Sequence, residues 1–203
     1  MRPTAAADPG AESLLLEDQE AWTSWLRANH AASAGVWLRI AKAGTDLRSV
    51  SYAQAVEAAL CFGWIDGQKK SMDEDSWLQR FTPRSAKSIW SRINRDKAMQ
   101  LIELRRMEAA GLREVERAKG DGRWEQAYDS PRGATPPPDF QAALEKETKA
   151  SAFFATLDCR NRYAILFRIQ TARKPETRAR RIQQFVEMLA RHETIHPVAR
   201  ADR

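Results

Sequence analysis

The stretch from Ser51 to Pro83 runs SYAQAVEAALCFGWIDGQKKSMDEDSWLQRFTP, and its periodicity changes half-way along. Ser51 is a good helix N-cap, and Gln54 three residues on completes a capping-box variant in which each side chain satisfies the other residue's backbone N–H. Ala55, Ala58, Ala59 and Phe62 then recur at helical spacing as a narrow apolar stripe, small enough to let the helix lie close on a sheet. Gly63 ends it. From there Trp64 to Lys70 and Ser76 to Phe81 flank Met72-Asp73-Glu74-Asp75, the pattern of a hairpin with an acidic turn. Upstream, Val36-Trp37-Leu38-Arg39-Ile40 alternates with period two and is β-branched and aromatic, a third strand. The expectation is an α+β fold, a small and mostly antiparallel three-stranded sheet packed with helices, rather than a βαβ array.

Working outward, residues 1–17 are rich in Ala, Pro and acidic residues without periodicity and read as a disordered tail. Helix signals begin near Asp18, with Trp22, Trp25 and Leu26 at i, i+3, i+4, and Gly35 closes that segment. Beyond the hairpin, Thr82-Pro83 reads as a helix start, because the proline N–H would be unpaired at the first helical position anyway. Trp90, Asn94, Ala98, Leu101 and Ile102 would line its inner face to about Met107. Gly111 breaks the pattern, and Leu112 to Lys119 forms a further short helix. Residues 129–138, Asp-Ser-Pro-Arg-Gly-Ala-Thr-Pro-Pro-Pro, are the clearest linker. They separate an α+β domain over 18–128 from an all-helical C-terminal segment over 139–192. In that segment the groups Phe140/Leu144, Phe153/Phe154, Tyr163/Phe167 and Ile182/Phe185/Leu189 mark four helices, with Asn161 as the cap of the third. Residues 193–203 read as a frayed tail.

At 203 residues the chain is long enough to bury a core without staples. Apolar residues make up 43% and charged residues 30%, which excludes wholesale disorder. No apolar run reaches the roughly 20 residues of a membrane span, and Leu14 to Leu16 is too short for a signal-peptide core, so the expected compartment is the cytoplasm. Cys61 and Cys159 are isolated and the histidines are His30, His192 and His196 alone, which argues against a disulfide framework or a zinc site. Asp73, Glu74 and Asp75 lack the remaining ligands of a calcium loop, and neither dinucleotide nor Walker glycine spacing occurs, so no metal or cofactor is expected. The net charge is +6, and Arg160–Arg203 holds 11 of the 33 Lys+Arg but 4 of the 27 Asp+Glu, so the positive excess sits at the C-terminal end. That asymmetry suits an acidic partner, or else a solvated helix face.

Three stretches resemble the YdeI/OmpD-associated (OmdA, bacteriocin-protection) family: Ala59 to Gly67, Arg80 to Arg84 with Ser88-Ile89-Trp90-Ser91 and Asn94, and Ala152 to Leu157 leading to Glu176 to Ile182. The resemblance covers roughly residues 20–192. It departs at Ala172-Arg173-Lys174-Pro175, where the family favours an Ala-Lys pair. It implies a role in protection against bacteriocins or envelope-related stress, and defines no reaction.

The first two motifs supply the candidate site. Trp64 offers an apolar wall and Asp66 a fixed acceptor, the combination a ligand pocket uses; alternatively Trp64 fills the core and Asp66 caps a turn. If a helix begins near Thr82 or Ser85, then Ser88, Trp90, Ser91 and Asn94 ride on it, and Arg84, Lys87 and Arg92 crowd its N-terminus, which already favours an anion. An internal Arg84–Asp66 ion pair is the structural alternative. The candidate ligand-binding set is therefore Trp64, Asp66, Arg84, Ser88, Trp90, Ser91 and Asn94, taking an anionic small molecule or an acidic protein partner. No triad, carboxylate pair or activated thiol points to catalysis, and the reading leans away from an enzyme. The alternatives are an enzyme with Asp66 as acid or base beside Arg84, and a nonspecific nucleic-acid binder using Arg173, Lys174, Arg178, Arg180 and Arg181. The seven tryptophans, Trp22, Trp25, Trp37, Trp64, Trp77, Trp90 and Trp124, suit an aromatic core or a stacking surface.

Overall fold

The structure, a computed structural model, describes residues 13–197. The tail readings for 1–12 and 198–203 lie outside the described residues. The chain divides into two compact units: Met1–Ser88 with Asn94–Trp124, and Ile89–Ile93 with Glu125–Arg203.

The first unit is built on a sheet. Strands β1 (Ser13–Leu15), β2 (Val36–Ala41), β3 (Trp64–Ser71) and β4 (Ser76–Pro83) lie in the order β1-β2-β4-β3 among the described residues. The β3–β4 hairpin and its pairing with β2 follow the expected pattern, antiparallel throughout. The sheet nevertheless has a fourth strand and is mixed, because β1 pairs parallel to β2 with Ser13 opposite Trp37. Ser13-Leu14-Leu15 falls inside the expected tail; three residues are too few to show a period, and only the partner strand makes them a strand.

Helices α1 (Gln19–Asn29) and α2 (Tyr52–Cys61) start where capping chemistry says they should. Asp18 accepts from the Ala21 N–H, and Ser51 with Gln54 forms the full reciprocal box. Directly paired residues share a face, so Val36, Leu38, Ile40, Phe81, Asp66 and Trp64 point one way and Trp37, Arg39, Leu78, Arg80 and Lys70 the other. The helices pack on the first face. Trp22 lies 5.4 Å from Phe81, stacks on Trp25 at 5.2 Å and meets Trp64 edge-on at 6.5 Å. Both buried indole donors are satisfied, Trp22 by the Ala55 carbonyl at 3.1 Å and Trp64 by the His30 carbonyl at 3.2 Å. Left unpaired, each would cost about 1–3 kcal/mol.

The long helix expected from Thr82 does not start there. Thr82 and Pro83 pair with Ile65 and Trp64 as the end of β4, and α3 spans only Arg92–Glu103. The hydrogen-bonded ladder and the burial of Phe81 override a local helix-start signal. Helix α4 (Ala109–Gly120) contains Gly111 rather than beginning after it. A Cβ on Gly111 would collide with the Cys61 carbonyl, so glycine is what lets α4 press against the end of α2. Gly63, at φ +73°, turns the chain out of α2, where a Cβ would come within 2.9 Å of the Ala110 carbonyl.

The second unit is helical: α5 (Pro138–Glu145), α6 (Thr148–Thr156), α7 (Cys159–Gln170) and α8 (Pro175–Ala190). Phe140, Leu144, Phe154, Ile165, Leu166, Ile169, Ile182 and Leu189 form its core. The cap of α7 is Asp158, not Asn161, with its side chain accepting from the Asn161 N–H at 2.7 Å. Asn161 is fully buried instead and bonds both ways to the His196 backbone, at 2.8 and 3.2 Å. The proline-rich stretch is not a free connection either. Asp129 accepts from Gln170 at 2.6 Å and from the Tyr163 hydroxyl at 3.0 Å, and pairs with Arg92 at 3.0 Å. Side chains of α7 tie it into the unit.

Candidate functional site

Trp64 opens β3, the first residue after the Gly63 turn, and is 1% exposed. It is core, not a pocket wall. Asp66, two residues on, accepts a 2.6 Å hydrogen bond from the Tyr52 hydroxyl at the start of α2, and makes it with Tyr52 rather than with Arg84. Arg84 follows directly on β4 and is 5% exposed; its N–H donates to the Gly63 carbonyl at 2.9 Å. Ser88 closes a turn, its hydroxyl accepting from the Ser85 N–H at 3.0 Å, and its carbonyl accepts from Arg123 at 2.7 Å. Asn94 is half-buried in the first turn of α3. Trp90 and Ser91 belong to the second unit and precede α3: the Tyr128 N–H donates to the Trp90 carbonyl at 3.0 Å, and Ser91 bridges Tyr128. No one unit holds all seven residues. With no helix at Thr82, Ser88, Trp90 and Ser91 precede α3 in the chain and share no helical face.

Two further acids near the sheet, Asp73 and Glu57, have several partners each. Arg39 reaches Asp73 at 2.7 Å and the Ser76 hydroxyl at 2.9 Å, and Ser76 donates to Asp73 at 2.6 Å. The Ser76 hydrogen bond, with help from Arg39, holds the Asp73 carboxyl below its usual range, so the acidic turn is partly a clamp on β2. Glu57 on α2 is ringed by Gln19 at 3.3 Å, Lys97 at 3.4 Å and Arg106 at 2.7 Å. Burial pushes its pKa up, but these three donors outweigh burial and the net shift is downward.

Three cations of the hairpin stand differently. The Lys69 ammonium sits 4.0 Å from the Trp77 ring centre, on the helix-covered face. On the opposite face the Lys70 ammonium and the Arg80 guanidinium both lie over Trp37, at 4.7 and 5.7 Å. Of Trp37, Arg39, Leu78, Arg80 and Lys70, only Trp37 is buried. Both cations thus contact the same ring, and neither has a carboxylate within ion-pair distance among the described residues.

In the C-terminal basic set, two residues have structural work. Arg178 pairs with Asp139 through both oxygens at 2.6 and 2.8 Å and donates to the Ile169 carbonyl at 2.9 Å; Arg181 donates to the Arg168 carbonyl. Arg173, Lys174 and Arg180 are exposed. Burial pushes the Cys61 thiol up to about 11, far from a nucleophile's range. Among the described residues no three His, Cys, Asp or Glu cluster as metal ligands, and no helix is long and apolar enough to cross a membrane.

Residues 134–192 match the family described as bacteriocin-protection, YdeI or OmpD-associated. The similarity to that family is confined to this stretch of the chain. The OmdA segment begins within the proline-rich stretch and ends just past α8, so it is the helical part of the second unit. Residues 14–114 match a different family model, described as a domain of unknown function (DUF8412). Two of the three stretches that suggested the resemblance, Ala59 to Gly67 and Arg80 to Asn94, therefore lie outside the OmdA segment. No curated protein and no solved structure matches the chain.

Two functional-looking groups escaped the sequence. Arg123 is 4% exposed, grips Asp121 with Nε at 2.7 and 2.8 Å and holds the Ser88 carbonyl. Its only local sign is an aspartate two residues away. The Lys70–Arg80–Trp37 group had a legible half, since alternation in β2 and β4 already separates Trp37 and Arg80 from the core-facing Leu38 and Phe81. Their register, which puts Trp37 opposite Arg80, belongs to the sheet alone.

Proposed function

We propose that this protein is a cytoplasmic binding protein rather than an enzyme, that it takes an anionic ligand or acidic partner, and that it serves a protective role, either the one against bacteriocins that the OmdA description names or one in envelope stress. The observation that carries the anion is the convergence of Lys70 and Arg80 over Trp37 without an internal carboxylate. Two like charges drawn to one ring repel, and an oxyanion held between them would relieve that repulsion. Arg80 supplies a planar fork suited to carboxylate or phosphate oxygens and Lys70 a mobile point charge. The site thus moves from the expected Asp66–Arg84 pair to the opposite face of the same hairpin. The enzyme reading draws no support from this geometry, because Asp66 is bonded to Tyr52 and Cys61 is held as a thiol.

The test is a titration with inorganic polyphosphate and with a single-stranded oligonucleotide, followed by tryptophan fluorescence across a salt series. Lys70→Ala with Arg80→Ala should weaken binding of both by about tenfold or more. The double variant should also flatten the oligonucleotide salt slope by roughly 1.4, the loss of two contacts. Unchanged binding in that variant, with loss instead on replacing Arg173, Lys174 and Arg180, would transfer the activity to the C-terminal helices and refute this site.

A further inference from the structure

Helices α1 and α2 pack on one face of the first unit's sheet, and the register of β1 to β4 fixes what stands on the other. Leu15 pairs with Arg39, Arg39 with Leu78 and Leu78 with Lys70, so one row across the sheet reads leucine, arginine, leucine, lysine. Beside it Ser13, Trp37 and Arg80 form a second row. With neighbouring strands about 4.8 Å apart the first row is about 14 Å long, the length of about four extended residues. Leu15 is 42% exposed, Lys70 is exposed, and Arg39, Leu78 and Arg80 are half-buried. A sheet face open to water ordinarily carries polar side chains. Here leucines alternate with cations.

Charge on these two rows has one sign, since neither contains an acidic residue. The carboxylates of Asp73, Glu74 and Asp75 belong to the turn beyond the last β3–β4 pair, and Asp73 is engaged by Arg39 and Ser76. Lys70 and Arg80 are the charges left over, and they select an anion. The leucines select among anions. Trp37 is 5% exposed and its ring is taken by the two cations, so it offers no free face for a nucleobase to stack on. A bare phosphate chain has nothing to bury against leucine. A membrane-binding face sinks apolar side chains about 5–10 Å into the headgroup boundary, and in these rows Leu15 is the one large apolar residue that is well exposed. We infer, resting on the anion site proposed above, that the occupant is an acidic polypeptide segment carrying apolar residues. Its carboxylates meet Lys70 and Arg80, and its aliphatic side chains lie against Leu15 and Leu78.

The experiment uses the full-length protein and two fluorescently labelled peptides of equal charge, each about eight residues long so that an extended chain spans the row. One contains Glu and Ser alone; the other has two of the serines replaced by leucine. Anisotropy measures affinity, and amide shifts in NMR locate the peptide. The leucine peptide should bind about tenfold more tightly than the serine peptide, with shifts at Leu15, Leu78 and Lys70. Leu15→Ser should remove most of that difference and leave the serine peptide and inorganic polyphosphate as they were. Leu78→Thr, which keeps a strand-forming residue in β4, repeats the test from the other leucine. Lys70→Ala with Arg80→Ala should weaken both peptides. Equal binding of the two peptides, shifts that map elsewhere, or indifference to both leucine variants would overturn the inference; polyphosphate binding that still needs Lys70 and Arg80 would then leave the anion site standing. Polyphosphate binding that ignores the double variant would remove the anion site and this inference with it. Binding to phosphatidylserine vesicles that is lost in Leu15→Ser would make the occupant a membrane, and a concentration-dependent dimer that protects Leu15 and Leu78 would make it a second copy of the chain. Either result would overturn the inference.

Discussion

At the scale of single residues, environment rather than identity sets the chemistry. Cys61 and Cys159 are both free thiols, yet Cys61 is buried and pushed up to about 11 while Cys159 is exposed at the start of α7. A thiol reagent at pH 8 should modify Cys159 readily and reach Cys61 only on unfolding; mass spectrometry of the native protein after labelling checks this, and double modification under native conditions would contradict it. Glu57 gives the pH counterpart. Its folded pKa lies below the unfolded value, so its contribution to stability is present above the unfolded pKa and is lost as pH falls through the folded one. Chemical denaturation from pH 7 down to pH 3 should therefore show a loss of stability below about pH 4.3, the ordinary glutamate value. Glu57→Gln should flatten part of that loss and leave Asp73 and Asp139, also held low, to account for the rest. An unchanged profile would mean that Glu57 is not coupled to folding.

At the scale of elements, the join of α2 to α4 shows how a helix contact overrules propensity. In an exposed helix, replacing glycine with alanine gains about 1 kcal/mol. At Gly111 the new methyl meets the Cys61 carbonyl, whose oxygen also accepts the Glu108 N–H at 3.1 Å. Overpacking costs typically about 1–3 kcal/mol, so the balance should fall on the side of destabilisation. Gly111→Ala should lower the melting temperature, whereas Gly120→Ala, where a Cβ meets nothing within 4 Å, should not. A more stable Gly111→Ala protein would show that α4 can back away from α2. The same scale explains the misplaced start of α3. Thr82-Pro83 carries true helix-start chemistry, but it also sits where β4 still has partners in β3, and the ladder prevails.

For the whole molecule, positive charge is abundant but only part of it is available. Arg178 and Arg181 hold carbonyls and an acid within the helical unit, while Arg173, Lys174 and Arg180 extend into solvent. Arg178→Ala should cost roughly 1 kcal/mol, the upper end for a partly exposed pair, and should let the Asp139 carboxyl, held low chiefly by its hydrogen bond from Arg178, rise toward its ordinary value. The triple change of Arg173, Lys174 and Arg180 to alanine should leave the melting temperature nearly unchanged. Comparing the two variants by thermal denaturation separates structural from available charge, and equal effects would contradict the division.

Local pattern alone determined the Ser51 cap, the hairpin from Trp64 to Phe81, the strand at Val36, and the helical C-terminal part, because each is written in spacings of two to four residues. Tertiary structure decided what those elements meet. Ser13–Leu15 became a strand only against β2, Asn161 became a buried link to His196 rather than a cap, and Asp66 found Tyr52 instead of Arg84. Periodicity tells which way a side chain faces but not what stands opposite it, since opposition depends on register and packing between residues far apart in the chain. That is why Lys70 and Arg80 could be placed on their strands from the sequence, while their meeting over Trp37 could not.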